Sequence, residues 1–194
     1  MSGTTREMYV SVDVETAGPN PHSYALLSIG ACLLDTPEVA FYIELQPIQD
    51  AAMPEALAIT GLSMQRLKEE GTEPKEAMAR FKAWLEQVIP SDSRPVFLAF
   101  NAPFDWMFVN DYFQRYLKRN PFGHSALDMK AFFMGLTGCS WSGTKMADVA
   151  AHYGKQLELQ HHALRDAEDQ AMLFREMLQE ARTRRLQEES SQGE

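Results

Sequence analysis

Five side chains in this sequence could carry out metal-assisted chemistry together. They are Asp13 and Glu15 in "VSVDVET" (10–16), Asp105 in "FNAPFDWMF" (100–108), and His161 and Asp166 in "HHALRDAEDQA" (161–171). If 10–16 is a strand, Val10, Val12 and Val14 share one face while Ser11, Asp13 and Glu15 share the other. Two residues of rise then set the carboxylates roughly 6–7 Å apart at the backbone, and in a partly buried setting they repel unless a cation lies between them. Four carboxylates at one place demand divalent cations, and oxygen-only donors suit Mg²⁺ or Mn²⁺ better than Zn²⁺. Two such ions roughly 3.5–4 Å apart stabilise the attacking and leaving oxygens of an in-line phosphoryl displacement.

Taken singly, each element has an ordinary reading. Strands with a solvated face alternate charges, an Asp favours the positive end of a helix that starts beside it, and a His five residues before an Asp is common. The elements that must position these residues tie them together. Three strand-like stretches come first (8–14, 24–34 and 39–46), the last two joined by "DTPE" as a hairpin turn. Two short helices flank Gly61, the second capped by Ser63, and a longer helix follows Thr72 with Pro74 in its first turn and Ala77, Phe81, Trp84, Leu85 and Val88 inward. "VFLAFN" is expected as a buried strand feeding the helix that carries Asp105, and ends of strands are where α/β proteins build sites.

A further strand, "SALD", leads into the helix "MKAFFMGLTG"; another helix covers 145–153, and the last begins near Ala163 with Leu164, Ala167, Ala171, Phe174 and Leu178 inward. Asp166 lies beside Ala167 and Gln170 at the border of that stripe, so its carboxylate can face the sheet. Five residues of helix turn through about 500°, so His161 belongs to the loop before the helix and can approach the site from another side. Met107, Phe108, Phe132 and Phe133 have core spacing, whereas Trp106 and Trp141 fit either the core or the rim of an entry.

The 194 residues suit one well-filled α/β domain over 1–183, with 184–194 a polar tail expected to be disordered. A net charge of −9 argues against coating duplex nucleic acid by charge alone, though not against gripping one chain end through metals. Cys32 and Cys139 are too few for a disulfide framework, and with no signal-like or membrane-spanning run the expectation is a cytoplasmic protein without a membrane role.

Three strands followed by strand–helix alternation predict a mixed five-stranded sheet flanked by helices, the order of ribonuclease H-like folds. With its acidic residues in this order, the sequence resembles the DEDDh exonucleases from about 9 to 178. Within that group it is most similar to ribonuclease T, through "DVETAG", "PEALAITG", "LKRNPF" and "HHALRDA". The resemblance implies 3′-5′ hydrolysis of phosphodiesters at single-stranded RNA or DNA 3′ ends, RNA favoured, with release of nucleoside 5′-monophosphates. It implies two Mg²⁺ or Mn²⁺ ions held by Asp13, Glu15, Asp105 and Asp166, with His161 as general base and Asp128 as a supporting residue. Thr16, Ala17, Ile59, Phe104 and His124 are implied at the substrate. Ribonuclease T carries phenylalanine at four substrate positions, where this chain keeps Phe104 and has Pro19, Ile59 and His124 instead. A second copy of the chain is a candidate partner on the same resemblance. Two alternatives share these residues: a DNA proofreading-type 3′-5′ exonuclease, and an inactive binding module, whose mark would be a missing ligand.

Overall fold

Strand β1 (Arg6–Thr16) takes the centre of the sheet because both of its faces are covered, with Val10 and Val12 fully buried on one side and Ser11 fully buried on the other. It pairs antiparallel with β2 (Leu26–Leu33), which pairs antiparallel with β3 (Ala40–Glu44). On its other edge β1 pairs in parallel with β4 (Ser93–Ala99), which pairs in parallel with β5 (Ala126–Asp128). The order is β3-β2-β1-β4-β5, the mixed five-stranded sheet expected from the sequence. The computed structural model describes residues 6–157 and 160–191.

Helices α1 (Pro54–Thr60), α2 (Met64–Glu70) and α3 (Pro74–Val88) separate β3 from β4, and α4 (Ala102–Leu117) follows β4. Ser63 caps α2 by accepting from the Arg66 amide, as the sequence suggests. Helices α5 (Met129–Thr137), α6 (Met146–His152) and α7 (Ala163–Ser191) complete the chain, with a single 3-10 turn, Trp141–Gly143, between α5 and α6. The sheet divides the core in two. Val10, Val12 and Val14 pack with Phe81 and Leu85 of α3 and Phe108, Tyr112 and Phe113 of α4. Cys32 and Leu98 pack on the opposite face with Phe133 of α5, Val149 of α6 and Phe174 and Met177 of α7.

Helix α7 continues to Ser191, through most of the stretch expected as a disordered tail. Ion pairs Arg184–Glu180 and Arg185–Glu189, one helical turn apart, support it there, and 192–194 lie outside the described residues. Among the described residues no helix is long and apolar enough to cross a membrane.

Two details of the sheet shape the opening at its edge. The β1–β4 ladder stops at Ser11 and Leu98, so β1 runs on past its neighbour and its last residues edge that opening. Gly30 of β2, paired with Asp13, lies directly under the start of α7: a Cβ there would come within 2.2 Å of the Ala163 carbonyl carbon and the Leu164 nitrogen. Only a glycine lets the helix backbone rest this close to the sheet.

Candidate active site

The alternation of β1 projects Asp13 and Glu15 to the face on which α7 lies, and the close seat on Gly30 brings the first turn of α7, with Asp166, down to them. One carboxylate oxygen from each of Asp13, Glu15 and Asp166 lies within 4.8 Å of the others. Asp166 is 3% exposed, and its Oδ1 accepts from the Gln160 amide at 3.1 Å, which ties the preceding loop to the carboxylate.

Asp105 reaches the same place from the far edge. Asn101 adopts a left-handed conformation, φ 66°, that turns β4 at once into α4. The Val14 amide, left without a partner from β4 where the ladder has stopped, donates to Asp105 Oδ1 at 3.1 Å. Asp105 lines the shared cavity but is not one of the three carboxylates within 4.8 Å of one another. Asp128 supports the turn from behind. It accepts from the Ala102 amide at 2.6 Å and from the Ala131 amide at 2.7 Å, so one carboxylate caps the first turns of both α4 and α5.

The two neighbouring histidines part company. His161 has φ 50°, lies in the loop before α7, and lines the cavity of about 400 Å³ with the four carboxylates. His162 stacks on Tyr42 of β3, ring centres 4.5 Å apart, and is not among the lining residues. A left-handed non-glycine residue at such a point is a local strain held by its surroundings, and here it turns consecutive imidazoles to different neighbours.

Burial and mutual repulsion disfavour the charged forms of Asp13, Glu15 and Asp105. Burial pushes Asp13 well above the usual carboxylate range, helped by the charges of Asp105, Glu15 and Asp166 and opposed by a hydrogen bond from Gln170. Burial raises Asp105 well above that range too, against the two backbone amides that favour its charge. Glu15, 8% exposed, is pushed up to about 7 by burial and then by Asp166. An oxygen-only cluster that resists ionisation in this way fits a hard divalent cation, whose charge removes the repulsion.

Of the positions expected at a substrate, the structure brings Phe104 to the cavity wall. It does not bring Ile59 or His124 there. Ile59 is 54% exposed on α1, a helix with no buried residue, and His124 is exposed after Gly123. Thr16 is buried and spends its hydroxyl on the Gly18 carbonyl at 2.9 Å. Ala17 is fully buried, with its amide donating to Ala25 and its carbonyl accepting from Met53. Its methyl group packs in the small cluster of Ala25, Leu27 and Leu67.

Sequence reasoning placed Gln170 only as a landmark, yet it connects two walls of the site. Its Nε2 donates to Asp13 Oδ1 at 2.7 Å and its Oε1 accepts from the Phe100 amide at 3.0 Å. The signal was its place one turn after Asp166 on the same helix face. Lys145 and Met146 also line the cavity, and nothing in their sequence surroundings marked them.

This mixed sheet, with carboxylates from β1, α4 and α7 and a loop histidine meeting at one opening, is the arrangement that the resemblance to exonucleases on a ribonuclease H-like fold implies. The family model described as an exonuclease matches residues 10–174, and the chain belongs to that family. The 3′-5′ DNA exonuclease Cap18 of Escherichia coli is 45% identical over 172 residues, covering 89% of this chain and 92% of that protein. Ribonuclease T of Salmonella typhimurium is 33% identical over 182 residues, covering 87% and 83%. The nuclease domain of 3′hExo, a DEDDh family member solved bound to rAMP, superposes with a TM-score of 0.76 over 92% of this chain and 94% of that one. At 16% identity that likeness speaks to the fold.

Proposed function

We propose that this protein removes nucleotides one at a time from the 3′ end of single-stranded or short nucleic acid, with DNA preferred over RNA, using two Mg²⁺ or Mn²⁺ ions and releasing 5′-mononucleotides. The observation that carries the reading is the convergence of Asp13, Glu15 and Asp166 within 4.8 Å beside a cavity that His161 and Asp105 also line. All five residues implied by the resemblance are present, which speaks against an inactive binding module. The preference for DNA departs from the expectation drawn from sequence; it rests on the greater identity to a DNA exonuclease, 45%, than to ribonuclease T, 33%.

Asp13, Glu15, Asp105 and Asp166 would hold the ions, which supply charge to stabilise the attacking and leaving oxygens. Gln170 holds Asp13 in its orientation and frees the other oxygen of that carboxylate. His161 takes a proton from the attacking water, and its loop is steadied by the bond from the Gln160 amide to Asp166. Phe104, half-buried against Phe108 with ring centres 5.5 Å apart, offers a face to the terminal base.

Parallel digestion of single-stranded DNA, single-stranded RNA, dinucleotides and blunt duplex, with Mg²⁺ and with excess chelator, tests the reading. Single-stranded DNA should be shortened fastest and only with metal. Unchanged cleavage in chelator would overturn the metal assignment, and faster cleavage of RNA would favour a ribonuclease T-like substrate.

A further inference from the structure

A chain of net charge −9 must draw a polyanion into a cavity lined by four carboxylates. The attraction has to be local. Among the described residues, Lys145 is the one lysine or arginine lining that cavity. Lys68, Lys82 and Lys155 are each engaged in an ion pair, whereas Lys145, exposed at the start of α6, has none among the described residues.

Four residues earlier, the 3-10 turn puts Trp141 on the surface at 53% exposure. The turn is firmly built, for the buried Thr144 donates to the Trp141 carbonyl through its hydroxyl at 2.8 Å and through its amide at 3.1 Å. Lys130 places its ammonium 4.4 Å from the centre of the indole and 5.9 Å from that of Phe100. Phe100 in turn lines the cavity. Trp141, Lys130, Phe100 and Lys145 thus form an aromatic and cationic rim running from open surface to the cavity wall. Trp106, the other tryptophan left open by the sequence, packs edge-on against Phe97 in the core.

We propose that this rim is a binding subsite for the single strand behind its 3′ end, with a base stacked on Trp141 and backbone phosphates held by Lys130 and Lys145. The proposal rests on the exonuclease reading for the direction in which the strand leaves the cavity. Its chemistry is independent of sequence, because every base offers a π-face and every nucleotide a phosphate. A preformed turn loses little freedom when a base docks on it.

The test is binding of a fluorescein-labelled decathymidylate whose 3′ linkages are phosphorothioates to slow cleavage, read by anisotropy in Mg²⁺ across a range of salt. Trp141→Ala should weaken binding roughly 5- to 100-fold, the span set by base–aromatic stacking, and Trp141→Phe should recover most of it. Lys145→Met should weaken binding most at low salt and lower the slope of log affinity against log salt by about one. Both side chains are exposed, and melting temperatures measured alongside separate a lost contact from a lost fold. Equal affinity of wild type, Trp141→Ala and Lys145→Met at every salt concentration overturns the subsite. Hydrolysis of the unmodified decamer by wild type is read in parallel. Its absence would overturn the exonuclease reading, while the binding comparison still decides the subsite.

Discussion

Gly30→Ala should disable the enzyme without touching any proposed ligand. The added Cβ would stand 2.2 Å from the Ala163 carbonyl carbon and the Leu164 nitrogen and 2.4 Å from the Ala163 carbonyl oxygen, whereas ordinary contact begins at 3.4 Å. The obstacles are backbone atoms, so no side chain can swing aside. The first turn of α7 must retreat by about 1.2 Å, the difference between 2.2 and 3.4 Å, because a close-packed interior has no slack to absorb it. Asp166 is three residues further along that turn and moves with it, and so does the loop that carries His161. Metal–ligand distances tolerate about 0.2 Å, and a displacement near 1 Å at a catalytic centre can cost about 10²-fold in rate. Overpacking of this kind costs roughly 1–3 kcal/mol, a fall in Tm of roughly 2–12 °C for a chain of this size. The variant should therefore fold with a lowered Tm, lose about two orders of magnitude in kcat, and gain less stability from added Mg²⁺ than wild type. A Gly30→Ala enzyme with near-normal kcat and the full metal-dependent rise in Tm would show that the seat of α7 on β2 does not position the site.

The histidine pair gives a second prediction. His161→Ala should lower kcat by roughly 10²–10⁴-fold, the usual loss for a general base, while His162→Ala gives up only its stacking on Tyr42; the reverse ranking would reassign the base. A third prediction concerns the metal-free protein. Glu15 is displaced from 4.5 to about 7, which at 1.36 kcal/mol per pH unit disfavours its charged form in the fold by about 3 kcal/mol. The folded state then holds a proton the unfolded state has lost, so this contribution to stability is present below pH 4.5 and fades as pH rises to about 7. Denaturant melts in chelator should show the fall, Glu15→Gln should remove its share, and Mg²⁺ should reverse it; stability that climbs over that interval in wild type relative to Glu15→Gln would contradict the assignment.

Parts of the site were legible because a short period fixes direction. Alternation in β1 alone assigns Asp13 and Glu15 to one face, and the 3.6-residue turn alone places Asp166 at the edge of the apolar stripe of α7 and His161 off the helix. The supporting contacts were not legible, since they depend on which distant segments meet. Gly30 reads as any glycine in a strand until α7, from the far end of the chain, is known to cross it. Gln170 is a neutral amide with no signature of its own, and its two partners, Asp13 and Phe100, come from different parts of the sheet. Trp141 could not be told from a core aromatic by composition; its exposure follows from the 3-10 turn. Ile59 and His124 were carried in by likeness to relatives, and the cavity lining includes neither.

The acidity of the site and the architecture around it are two sides of one compromise. Three carboxylates crowded at the end of the central strand repel one another, and burial with that repulsion raises Asp13 and Glu15 above the usual carboxylate range. Hydrogen bonds from Gln170 to Asp13, from the Val14 amide to Asp105 and from the Gln160 amide to Asp166 hold three of the four cavity carboxylates in place without neutralising them. A lysine among them would relieve the repulsion, but it would also compete for the oxygens that a divalent cation needs. The cations nearest the cavity, Lys130 and Lys145, stand instead at its rim. In the proposed subsite they would meet phosphate without pairing with those carboxylates, so charge that would stabilise the metal-free fold is kept for the strand.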